Sequence, residues 1–94
     1  MMSVDLPFNE AVVQFVSMDV DALPGRHPER VQSDALRERV EHVIAELDAI
    51  RPDESSENLF DWAEREVDRL ALAHPELSLE AREALISLLS FTWR

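Results

Sequence analysis

The sequence predicts an all-α protein: a single domain over residues 1–94, built as an antiparallel bundle of four helices at about 7–18, 28–50, 56–73 and 79–91. Three observations carry that expectation. Apolar residues recur at helical spacing in four separate stretches. The few chain breakers, a single Gly and five Pro, fall between those stretches. And 94 residues are enough for one hydrophobic core and too few for two.

The first stretch places Phe8, Ala11, Val12, Phe15 and Val16 on one helical face. Its run Val12-Val13-Gln14-Phe15-Val16 also suits a strand, because β-branched residues favour one. No other segment could pair with such a strand, so helix is the reading taken. Pro24-Gly25 marks the turn that follows. The second helix opens either at His27-Pro28, with Pro at its first position, or at Ser33, an N-cap before Asp34. It aligns Leu36, Val40, Val43, Leu47 and Ile50 at steps of four and three, with Ile44 beside them. Arg51-Pro52 ends it.

The third helix is expected to be capped by Ser55 or Ser56, with Phe60, Ala63, Val67, Leu70 and Ala71 as its core stripe. His74-Pro75 ends it. Ser78 caps the fourth, whose Ala84, Leu85, Ile86, Leu88, Leu89, Phe91 and Trp93 cover nearly every side. A helix that is apolar all round is a buried one, packed centrally or covered by a partner. One internal echo, His27-Pro28-Glu29 and His74-Pro75-Glu76, reads as repeated punctuation: Pro followed by Glu opens a helix or turn, and His beside Pro closes one.

Composition then narrows function. Twenty acids against nine bases give a formal charge of −11, and every base is Arg. There is no Cys, which removes disulfides, thiolate zinc sites and thiol nucleophiles. A free-standing nucleic-acid binder would be basic, and an anionic membrane would repel this chain. The first base is Arg26, so no signal or transit peptide is expected at the start, no apolar run is long enough to span a bilayer, and the expected location is the cytoplasm.

Catalysis is not expected either. One Gly cannot build a phosphate loop. His27, His42 and His74 are scattered, and the best metal-like spacing, Glu38-His42-Glu46, reads as a solvated helix face. We therefore expect no catalytic residues, no metal and no cofactor.

What the sequence does display is a line of acids. Residues 52–76 hold eight acids and two Arg, more than half of the total excess. Within them Glu57, Asp61, Glu64 and Asp68 follow steps of four, three and four, led in by Asp53 and Glu54. On a helix these form one row about 120° from the centre of the expected core stripe. Like charges so spaced cost about 0.2–0.5 kcal/mol per pair, which a mixed-sign face would avoid. Trp62 lies off the same stripe: either a neighbouring helix covers it, as the large apolar area of an indole favours, or it is an anchor beside the acidic rim. The expected partner-binding set is accordingly Asp53, Glu54, Glu57, Asp61, Trp62, Glu64 and Asp68.

In size, in charge, in this acidic third helix with Trp62, and in its aromatic tail Leu88-Leu89-Ser90-Phe91-Thr92-Trp93-Arg94, the chain resembles the small acidic helical immunity proteins of bacteria, of the colicin or contact-dependent growth inhibition type. The resemblance implies a non-enzymatic toxin inhibitor that binds a cationic toxin domain, a nuclease with a basic cleft made for phosphates, by protein–protein interaction. Two other classes fit the same acids: a nucleic-acid mimic that inhibits a host or phage DNA- or RNA-binding complex, and a structural or adaptor helical module that self-associates through its apolar fourth helix.

Overall fold

The computed structural model describes residues 6–17, 24–52 and 58–93. They form four α-helices and a short 3-10 turn: α1 (Leu6–Phe15), the 3-10 turn Pro28–Arg30, α2 (Asp34–Asp48), α3 (Leu59–Ala73) and α4 (Leu79–Thr92), an all-α bundle with no strand among the described residues. The ambiguous run from Val12 is helical through Phe15, and the helix ends there, short of the expected Met18, which lies outside the described residues. The expected second helix divides in two. Pro28 opens only the 3-10 turn, and Ser33 caps α2, its hydroxyl accepting the Leu36 amide at 3.3 Å. A hydrogen bond donated by the Val31 amide to the Pro28 carbonyl closes the first piece before the second begins.

The start of α3 also differs from expectation. Asn58 caps it, its Oδ1 accepting the Asp61 amide at 2.8 Å, while Ser55 and Ser56 lie outside the described residues. A short polar side chain three residues ahead of an orphan amide satisfies it best, and Asn does this as well as Ser. Ser78 caps α4 as expected, accepting the Ala81 amide at 3.2 Å.

A single core draws on every helix. It holds Phe8, Ala11, Val12 and Phe15 of α1, Val40, Val43, Ile44 and Leu47 of α2, Trp62, Ala63 and Val67 of α3, and Ala81, Leu85, Ile86, Leu88 and Leu89 of α4. Val16, Val31 and Leu77, from outside the helices, complete it. The apolar α4 is central: it packs against α3 most extensively, then α1, then α2, whereas α1 and α3 hardly meet. The five-residue link 74–78 folds α3 and α4 into a helical hairpin.

Asn9 locks that hairpin to α1. It is buried in the middle of an otherwise apolar face. Its Nδ2 donates to the Glu76 carbonyl and its Oδ1 accepts the Ser78 amide, both at 2.8 Å. One side chain thus satisfies two backbone groups of a connection 67 and 69 residues away.

The twin His-Pro-Glu segments adopt one conformation. His27 has φ −128° and ψ 69°, and His74 has φ −131° and ψ 68°, both outside the helical region as the following Pro requires. Each His carbonyl accepts the amide three residues on at 3.0 Å. Each ring Nδ1 lies near the Glu two residues on, at 3.3 Å for His27–Glu29 and 3.5 Å for His74–Glu76. A hydrogen bond with its own backbone, reinforced by the His27 ring, holds the Glu29 carboxyl below its ordinary range. The repeat is a turn used twice, once to open the 3-10 segment and once to join α3 to α4.

Two measurements check this account. Asn9→Ala leaves two buried backbone groups without their partner and is expected to cost about 2–4 kcal/mol in urea unfolding. Leu85→Ala, at a fully buried position of α4, should cost about 2–5 kcal/mol, while Leu72→Ala, exposed on α3, should stay within about 0.5 kcal/mol of the parent.

Candidate functional site: the outer face of α3

α3 buries a sector running through Leu59, Trp62, Ala63, Val67, Leu70 and Ala71, with Glu66 at its edge. This corrects the expected stripe in two places. Trp62, expected as an anchor for a partner, is 2% exposed and belongs to the core. Phe60, expected in the core, is 54% exposed. Residues two apart on a helix point about 200° away from each other, so one face cannot bury both rings. The larger indole takes the interior and turns the phenyl ring outward.

The acids hold their expected place. Asp61, Glu64 and Asp68 are all exposed, on the side of α3 turned away from the core. Asp53, Glu54 and Glu57 lie outside the described residues. Each described acid has a distinct setting. Asp61 sits in the first turn, where the helix dipole favours a carboxylate, and its Oδ2 accepts from Asn58 Nδ2 at 2.9 Å. Asp68 lies 3.7 Å from Arg82 of α4, an exposed pair that trims its charge and adds little stability. Glu64 stands between them in the row. Arg65 and Arg69 each lie 3.6 Å from the largely buried Glu66.

Apolar side chains bracket the row. Phe60 lies at its N-terminal end and Leu72, 83% exposed, at its C-terminal end. Phe60 departs from the expected core stripe, and that stripe does not include Leu72. The signal available was Trp62 itself, since placing the bulkiest ring of α3 inside rotates the apolar sector away from Phe60.

The second helix bears no comparable site. Glu38 and His42 are exposed, and Glu46 is engaged from the α3–α4 link by His74, whose Nε2 lies 2.6 Å from Glu46 Oε2. His42 Nε2 is 4.0 Å from the same oxygen. Among the described residues no group of three or more His, Asp or Glu is arranged to hold a metal ion, and no helix is long and apolar enough to cross a membrane. The chain matches no protein-family model, no curated protein and no solved structure.

Trp62 and Phe60 should separate cleanly on substitution. Trp62→Ala is expected to cost about 3–5 kcal/mol in thermal or urea unfolding, and Phe60→Ala to stay within about 0.5 kcal/mol.

Proposed function

We propose that the protein is a non-enzymatic inhibitor of the immunity-protein kind, which binds a cationic toxin domain, a nuclease with a basic cleft, through the outer face of α3. The observation that carries this reading is the pairing of charge with exposed apolar surface. Asp61, Glu64 and Asp68 lie in a row with Phe60 and Leu72 exposed at its ends. Single exposed apolar side chains are ordinary on a folded protein, so what supports the reading is that two of them stand at the ends of one acidic row. A face that docks on a protein uses them as the water-excluding part of a contact whose charges set orientation and encounter rate.

In this reading the acids occupy the positions of substrate phosphates in the partner's cleft. Long-range attraction from a chain of net charge −11 speeds association, and the cleft is blocked without chemistry. Phe60 replaces Trp62 as the anchor, because Trp62 is committed to the fold. Glu64 is the acid on which binding should depend most, since Asp61 is partly engaged by the cap and Asp68 by Arg82.

The test is calorimetric titration against a catalytically inactivated, cationic nuclease toxin domain. Affinity should fall steeply between about 50 and about 500 mM salt, as charge-led association does. The pair Glu64→Lys with Asp68→Lys should weaken it by about 100-fold or more, largely through slower association, and Phe60→Ala by about 10-fold through faster dissociation. Affinity that ignores salt and survives the double reversal would overturn the reading.

A further inference from the structure

A second surface lies on the other flank of α4. The cap and first turn of α4 (Ser78, Leu79, Glu80) and the outward side of α1 (Leu6, Asn9, Glu10, Val13, Gln14) line a groove of about 460 Å³. That volume is within the range of binding clefts, about 300–1,000 Å³. Leu6 and Leu79 are 63% and 64% exposed. On α1 the lining residues Leu6, Glu10 and Val13 follow steps of four and three, so one helical face is presented along the length of the groove.

The electrostatics say what kind of occupant fits. Glu10 and Glu80 are exposed on the lining, which among the described residues contains no base, and the sequence has no base ahead of Arg26. The groove therefore offers an apolar floor between carboxylates with no cation of its own nearby in sequence on α1. Two helices side by side with that pattern match a third helix carrying apolar residues at a period of three and four and Lys or Arg beside them. We infer that the α1/α4 groove receives a basic amphipathic helix from a partner protein, its apolar side chains seated on Leu6, Val13 and Leu79 and its cations directed to Glu10 and Glu80. This inference is independent of the reading of α3, whose acidic face is built on a helix that hardly meets α1.

The probe is a synthetic 14-residue peptide of Leu and Lys with helical periodicity, compared by fluorescence anisotropy with a scrambled peptide of the same composition. At about 150 mM salt the periodic peptide should bind at least about 10-fold tighter than the scrambled one, because only it presents a continuous apolar face. Leu79→Glu should weaken its binding about 10-fold or more even though it adds charge attractive to the peptide, since it removes floor area. Because Leu79 is exposed, thermal unfolding should confirm that this variant is folded. Glu10→Lys with Glu80→Lys should weaken it comparably, whereas Glu64→Lys with Asp68→Lys on α3 should change it by less than about 3-fold. Equal affinity for both peptides, or equal loss from the α3 and groove reversals, would mean that only net charge is read and would overturn the inference. So would a concentration-dependent dimer in sedimentation that Leu79→Glu abolishes, because the occupant would then be a second copy of the chain.

Discussion

The burial of α4 organises the molecule. Leu85, Ile86, Leu88 and Leu89 leave that helix without a polar face broad enough to meet water along its middle, so other elements must cover it. α1, α2 and α3 wrap it, and because α1 and α3 take separate flanks, each keeps an outward face. Those two faces carry the two candidate docking surfaces. The arrangement is held in register by polar contacts of long sequence separation: Asn9 on the α3–α4 connection, and Glu46 on the His74 ring.

The excess of negative charge is tolerated because it is distributed according to local partners. Asp61 strengthens the start of its helix, Asp68 has Arg82 across the α3–α4 hairpin, and Arg26 makes a two-pronged pair with Asp48 at 2.7 and 2.9 Å, tying the loop before the 3-10 turn to the end of α2. Part of what is left over forms a row on α3 between exposed Phe60 and Leu72, and part forms the rim of a groove beside α1 with exposed Leu6 and Leu79; Glu38, Glu41 and Glu83 are exposed elsewhere on α2 and α4.

Local chemistry was legible throughout. The periodic spacing of Phe8, Ala11, Val12 and Phe15 and of Val40, Val43, Ile44 and Leu47 predicted which faces are buried, and Ser78 predicted where α4 begins. The acidic row on α3 was legible for the same reason, since residues three and four apart on a helix share a face whatever surrounds it. Where sequence reading failed, two local solutions competed. His27-Pro28 and Ser33 could each open a helix, and the chain uses both, one for a 3-10 turn and one for α2.

By itself, then, the amino-acid sequence determined the fold class, the four helices, the buried character of α4 and the line of acids, because each depends on interactions within a turn or two of the chain. The tertiary structure alone decided that Trp62 turns inward and Phe60 outward, that Asn9 serves a connection nearly seventy residues away, and that Glu46 belongs to His74. These outcomes depend on which helices become neighbours and at what rotation. An apolar residue at the edge of a stripe, or a polar one in its middle, is assigned to interior or surface only when the opposing surface is in place.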